Sequence, residues 1–224
     1  MKISEKKYWY LHNHKIFEQL NDQQLKELSV LVGYFRYKKN ELVHLFTDNT
    51  RRMYFLKEGI LKVLSKQEDG KEVITDVIHK DNVFGEFTIN NDASYTLKAA
   101  SPEAVICAFT LEDFEKVMQK YPEIGLKVCK QVGEKIIEVN KKYTDIIFKD
   151  SKTRLIEFLM DFSVRYGEKK NTEVVVKNYL TQEEVASLIG CKRQTVTQFM
   201  RELQEEGKIA YTRSELIVYS TDLI

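Results

Sequence analysis

The pattern of apolar and polar positions changes texture several times along this chain. Residues 13–32 carry Phe17, Leu20, Leu25, Leu28, Val30 and Leu31 at helical spacing, and Asn21 or Asp22 offers an N-cap before the second piece. From Tyr34 to Phe109 the pattern becomes short runs rich in β-branched and aromatic residues: MYFLKEG, ILKVLSK, KEVITDVI, YTLKAAS and AVICAFT. Gly and Asp/Asn separate these runs, and Asp69-Gly70 within QEDGKE tolerates the positive φ of a hairpin turn. Turn signals recurring about every ten residues, with no helix between them, predict an all-β sandwich or roll.

After Thr110 the period is helical again. LEDFEKVMQKY reads as a helix stopped by Pro122, and a second helical run continues to Phe148. In that run Cys129, Val132, Ile136, Val139, Tyr143 and Ile146 alternate spacings of three and four, which is a heptad seam. A narrow, regular seam on a helix this long predicts pairing with a second copy. FKDSK then breaks the pattern, with Asp150 or Ser151 as N-cap of the helix KTRLIEFLMDFSVRYG. The remainder reads as a strand (EVVVK), two helices, and the strand-like pieces KIAYT and ELIVYS. The expected fold is α+β: an antiparallel β-roll with N-terminal helices in residues 1–110, helices including the dimerisation helix in 111–149, and a DNA-binding unit in 150–224.

The helix pair at 181–206 carries the chemistry. Thr181 precedes Glu184 by three residues, the capping-box spacing, and Gly190 ends the first helix as left-handed residues do. Two helices joined by so short a turn containing Gly match the helix-turn-helix, and the two strands that follow suit its winged form. The second helix has an inner stripe of Val196, Phe199, Met200 and Leu203 and an outer stripe of donors and acceptors. In such a motif the outer stripe enters the major groove, where Arg suits guanine and Gln suits adenine. Thr181, Lys192, Arg193, Gln194, Thr195, Thr197, Gln198 and Arg201 are the candidate DNA-binding residues.

Composition limits the alternatives. Apolar residues make up 43% and charged residues 31%, ordinary for a globular domain, and the formal net charge is +1. Residues 151–224 hold eleven basic and eleven acidic residues, so any nucleic-acid footprint must be local. No apolar run approaches a membrane span and MKISEKKYWYLHNHK lacks the apolar core of a secretory signal, so a cytoplasmic protein without membrane association is expected. Cys107, Cys129 and Cys191 lie far apart and are expected as buried thiols. The four histidines lack ligand partners, and only His44 and His79 fall in the roll, too few for a metal barrel. Neither a metal site nor an enzyme is expected.

The order of these pieces resembles the Crp-Fnr family of bacterial transcription regulators. Residues 181–219 are similar to that family's winged helix-turn-helix, VFGEF at 83–87 to the GE motif of its cyclic-nucleotide-binding-like roll, and IFKD at 147–150 to its hinge. The resemblance implies a homodimer on palindromic double-stranded DNA, with RNA polymerase as a further partner. It places Arg193 where a guanine reader is common, Gln194 where Glu is frequent, and Gln198 at a variable reader, so an operator half-site richer in A·T is expected. On the effector side it implicates Gly85, Glu86, Ser94, Lys98, Val139 and Asn140. Cyclic-nucleotide binders place an Arg before the residue matched by Ser94, but Ala93 stands here, and a buried phosphate without a cation is costly. Cyclic AMP in the usual pose is therefore not expected, Lys98 being a substitute only if it points inward. Iron-sulfur members carry an N-terminal cysteine cluster that is absent here, and no haem ligands can be placed. The effector stays an unidentified small molecule, with a cyclic-nucleotide sensor using a rebuilt phosphate site as the alternative.

Overall fold

The computed structural model describes residues 8–9, 11–45, 50–85, 95–171, 173–212 and 214–219. Contacts divide the chain into two units, residues 1–136 and 137–224, with the division inside the longest helix.

The first unit opens with a 3-10 turn, Lys15–Phe17, and helix α1, Asp22–Ser29. Asn21 is the N-cap of α1, its side chain accepting from Gln24 N while the Gln24 side chain accepts from Asn21 N. Among the described residues eight strands follow: β1 (Gly33–Lys38), β2 (Leu42–Val43), β3 (Arg52–Glu58), β4 (Leu61–Lys66), β5 (Glu72–Ile78), β6 (Val83–Gly85), β7 (Tyr95–Ala99) and β8 (Glu103–Thr110). They form two antiparallel sheets, ordered β1-β8-β3-β6 and β2-β7-β4-β5. The β4–β5 hairpin turns where the sequence places it, with Gly70 at φ 81°.

Side-chain alternation along the strands explains why the roll has two cores. Tyr54, Leu56, Ala104, Ile106 and Ala108 point inward, against Leu61, Val63, Leu97 and Ala99 of the facing sheet. Their alternates Met53, Phe55, Cys107 and Phe109 point outward and are covered by Phe17, Phe114 and Ile124 from the helical segments. Helix α2 (Leu111–Lys120) is capped by the Thr110 side chain, which accepts from Asp113 N. Pro122 begins the next helix, α3 (Pro122–Phe148), where a missing N–H costs nothing. In this unit α3 buries Ile124 and Val128, and Gln131 accepts from Val83 N and donates to the Asp81 carbonyl. Lys135 Nζ lies 2.6 Å from an Asp76 carboxylate oxygen.

The second unit contains the rest of α3, α4 (Ser151–Tyr166), β9 (Glu168–Lys170), β10 (Glu173–Lys177), α5 (Gln182–Ile189), α6 (Arg193–Glu205), β11 (Ile209–Tyr211) and β12 (Glu215–Val218). Its sheet is ordered β11-β12-β10-β9, all antiparallel. Leu155, Leu159, Val176, Val185, Val196, Met200, Leu203 and Leu216 are buried at its centre. The expected α+β architecture is therefore present. The cysteines depart from expectation: Cys107 is buried, Cys191 is half-buried and Cys129 is exposed, since Cys129 sits on the outer side of α3. No helix among the described residues is long and apolar enough to cross a membrane.

Candidate nucleic-acid interface

Local rules build the helix pair. Thr181 caps α5 in a full capping box: its hydroxyl accepts from Glu184 N at 3.2 Å, and the Glu184 carboxylate accepts from Thr181 N at 2.7 Å. Gly190 stops the helix at φ 67°, ψ 50°, a conformation that favours glycine, and its N–H returns to α5 carbonyls. Two residues later Lys192 is the N-cap of α6, its side chain makes no cap hydrogen bond, and the first turn of the helix contains no acid. The first turn thus keeps the positive end of the helix dipole without an acidic cap.

The inner stripe of α6 is anchored. Val196, Met200 and Leu203 are at most 3% exposed, and α6 packs on α5, where Val185, Ala186 and Ile189 are buried as well. Phe199 differs from its predicted place in that stripe: it is half-buried, with Lys152 Nζ 5.8 Å from its ring centre. Along the outer stripe Lys192, Arg193, Gln194, Thr197, Gln198 and Arg201 are exposed, and Thr195 is half-buried. They fall into two groups. Among the described residues, the Lys192, Arg193 and Gln194 side chains have no intramolecular hydrogen bond or ion pair. The others are engaged: Thr197 Oγ1 is 2.7 Å from Gln182 Oε1, Gln198 donates to Glu202 at 3.0 Å, and Arg201 pairs with Glu205 at 2.8 Å. Thr181 serves as a cap, so its hydroxyl is committed within the chain.

The acids on α6 are neutralised from within. Lys152 Nζ lies 2.9 Å from Glu202, and its hydrogen bond holds that carboxyl below the usual range, with Gln198 adding to the effect. Positive charge remains at the N-terminal end, where Lys192 and Arg193 stand.

One positioning residue carried no signal in the sequence. Arg154 on α4 donates from Nε to the Ile189 carbonyl at 2.8 Å, and from Nη2 to the Gly190 carbonyl at 3.1 Å. Its Nη1 donates to the Lys149 carbonyl just beyond the end of α3. The guanidinium therefore ties that helix end to the turn preceding α6. Beside it, Lys141 and Lys149 both contact Asp145 and Glu157, at 2.6–3.2 Å, holding both carboxyls below their ordinary range. Only the i, i+4 spacings of Lys141, Asp145 and Lys149 are visible in sequence.

The seam residues Ile136, Val139, Tyr143 and Ile146 are 52–68% exposed, whereas Val132 packs partly on the outer core of the roll. Ile146 also touches the turn: a Cβ on Gly190 would lie 3.3 Å from Ile146 Cδ1.

The candidate effector residues are less united. Gly85 has φ 113°, and a Cβ there would sit 2.7 Å from the Arg52 carbonyl oxygen, so only glycine fits easily. Glu86 and Ser94 lie outside the described residues. Lys98 does not point into the roll: its strand neighbours Leu97 and Ala99 take the inward positions, so alternation sends Lys98 outward beside Lys62. Val139 and Asn140 are exposed on α3.

Comparison with known proteins settles the class. The cyclic nucleotide-binding domain family model matches residues 34–121, and that of the Crp-like helix-turn-helix domain matches residues 153–222. The chain belongs to the Crp-Fnr family of transcription regulators. It is 25% identical over 186 residues to the cAMP-activated global transcriptional regulator CRP of Pasteurella multocida, covering 82% of this chain and 88% of that one. It is 24% identical over 177 residues to a global nitrogen regulator of Synechocystis, covering 77% and 78% of the two chains. Among solved structures, a cyclic nucleotide-binding domain containing protein from Listeria monocytogenes superposes with a TM-score of 0.72 at 15% identity, over 98% and 99% of the chains. A CooA mutant from Carboxydothermus hydrogenoformans gives 0.69 at 21% identity, over 86% and 85%. Within this family the chain is a DNA-binding regulator and not an enzyme.

Proposed function

We propose that this regulator is a homodimer that reads a palindromic operator with two copies of α6, under control of a small molecule bound in its β-roll. The observation that carries the reading is the first turn of α6: Lys192, Arg193 and Gln194 are exposed together over an anchored stripe, beside an uncapped helix N-terminus. Arg193 reads a guanine edge, Gln194 an adenine edge, and Lys192 takes a phosphate. The exposed seam of Ile136, Val139, Tyr143 and Ile146 supports pairing of α3 with a second copy, since so continuous an apolar strip is uncommon on a monomer. Parallel pairing brings both reading helices to one end, about 34 Å apart, the spacing of successive major grooves. Residues 1–110 are the sensing part, 111–149 the helical connection and 150–224 the reading part. As in ordinary members of the family, RNA polymerase is the further partner.

The effector we infer is not cyclic AMP in its usual pose. Ala93 stands where the family's phosphate-holding Arg stands, and Lys98 faces away from the interior. The match of residues 34–121 to cyclic nucleotide-binding domains favours the alternative, a nucleotide sensor with a rebuilt phosphate site. Titration calorimetry with cyclic AMP and cyclic GMP separates the two, micromolar binding supporting the alternative. Selection of bound fragments from random duplex DNA tests the main reading. A two-fold symmetric consensus is expected, and an asymmetric or absent consensus refutes it.

A further inference from the structure

Ile146, the last member of the α3 seam, also lines a groove of about 200 Å³ between the C-terminal half of α3, α4 and α5. The floor of that groove is apolar, made by Ile146, Phe158, Leu188 and Ile189. Ile146 is 52% exposed and Phe158 and Leu188 are half-buried, so the floor is open to an occupant. The charges on the rim are already engaged within the chain. Lys141 meets Asp145 and Glu157, Lys142 meets Glu138 at 3.6 Å, and Arg165 meets Asp161 at 2.8 Å. Arg154 donates to backbone carbonyls. A charged ligand must therefore displace an existing partner, whereas an apolar group closes over neutral pairs.

The seam by itself is small. Its exposed side chains Ile136, Val139, Tyr143 and Ile146 offer at most about 400 Å² to a partner, against roughly 800 Å² from each partner in a standard-size interface. The apolar surface that continues from them is Ile147, 54% exposed, together with the groove. Heptad register brings these two together across a pair. With Ile146 at d, Ile147 takes e and Lys142 takes g. In a parallel pair each g position lies beside the e position roughly five residues further along the other helix. Lys142 stands on the rim of the groove, so Ile147 of the partner subunit arrives at its mouth.

We propose that the groove receives the side chain of the partner subunit's Ile147, so that each reading unit is held by α3 of both chains. Volume permits it: an apolar cavity of about 150 Å³ accommodates benzene, so about 200 Å³ admits an isoleucine side chain. Ile189 belongs to the floor and immediately precedes Gly190, so the contact bears on the turn that leads into α6. This inference rests on the reading of the chain as a parallel homodimer and adds to it a surface outside the seam.

The test uses the full chain carrying p-azidophenylalanine at position 147. The sample is irradiated, its cross-linked peptides are mapped by mass spectrometry, and light scattering reports its mass in solution. The expected product is a covalent dimer in which position 147 is joined to Phe158, Leu188 or Ile189 of the other chain. Ile147→Ala is expected to remain a dimer yet bind the selected operator about tenfold more weakly, and Ile147→Leu to bind within about twofold of wild type. The cross-link is read on a chain whose seam is intact, so it stays decisive if Ile147→Ala fails to fold. Cross-links confined to α3 of the other chain, links within one chain, no cross-link, or an Ile147→Ala dimer of unchanged operator affinity overturn the proposal. Any of these results on a dimeric sample leaves the seam reading standing, whereas a monomeric mass refutes both.

Discussion

Replacing Arg154 by methionine tests the claim that the turn before α6 is held by one side chain. Its guanidinium donates to the carbonyls of Ile189, Gly190 and Lys149, where α5 and α3 end. Carbonyls at helix C-termini lack intrahelical partners and carry partial negative charge, so a cation there is doubly favourable. Hydrogen bonds from a charged donor contribute about 1.5–3 kcal/mol when shielded and little when water can replace them. The bond to Gly190 is exposed, while those to Ile189 and Lys149 are partly buried. Two effective bonds, discounted because they share one donor group, give a loss of about 2–4 kcal/mol. Methionine keeps most of the stem, so packing loss is small. Urea unfolding followed by circular dichroism measures the stability change, and fluorescence anisotropy on the selected operator measures binding. Operator affinity is expected to fall about tenfold, or roughly 1.4 kcal/mol. The salt dependence should stay unchanged, because no phosphate contact is removed. Arg154→Lys restores charge without the planar fork and should recover only part of either loss. A stability change below about 0.5 kcal/mol together with unaltered operator affinity would refute the reasoning, because it would put Arg154 among neutral surface sites.

Other perturbations address the reading face, the seam and the pH response. Arg193→Ala should cost about 1–3 kcal/mol on the operator and relax preference at one base pair; equal losses on operator and random DNA would show a phosphate contact instead. Lys192→Ala should lower the magnitude of the salt slope by about one with little change in sequence preference, and an unchanged slope contradicts its assigned role. Tyr143→Glu places a charge on a side chain 68% exposed in the single chain, so it should leave monomer folding intact while light scattering reports half the mass; an unchanged mass argues against the seam. Burial lowers the His14 pKa to about 4; Asp81 raises it, while Lys57 and Lys80 lower it further. The folded chain then binds fewer protons than the unfolded one, so this stability is fully present above about pH 6.5 and lost as pH falls toward 4, by about 3 kcal/mol in all. The difference in unfolding free energy between wild type and His14→Gln, followed from pH 7 to 4, should carry that slope, and parallel curves would remove His14 as its origin.

Much of the fold follows rules that act within a few residues, which is why the sequence discloses it. The capping box of Thr181 and Glu184, the left-handed Gly190 and the Asp69-Gly70 hairpin depend on neighbours alone. The outward direction of Lys98 was decidable too, since Leu97 and Ala99 are the apolar members of their strand and Lys98 lies between them. Arg154 was not decidable. Its partners at Ile189 and Gly190 are backbone carbonyls 35 and 36 residues away, and a carbonyl leaves no trace in residue identity.

The balanced charge of the C-terminal 74 residues shows why a net count misleads for a nucleic-acid-binding unit. The acids of α6, Glu202 and Glu205, stand in its last turns and are met by Lys152, Gln198 and Arg201, so their charge is answered where it arises. Among the described residues Lys192 and Arg193 have no such partner, and they sit where the helix dipole is positive. Field at a DNA surface falls off over about 8–10 Å at ordinary ionic strength, less than the roughly 18 Å spanned by thirteen helical residues. In the proposed complex, phosphates beside the first turn would meet these cations and scarcely feel the neutralised acids at the far end. Because Gln198 and Arg201 are already engaged by acids one turn further on, the proposed contact with DNA predicts that substitutions in the first turn of α6 outweigh equal substitutions two turns later.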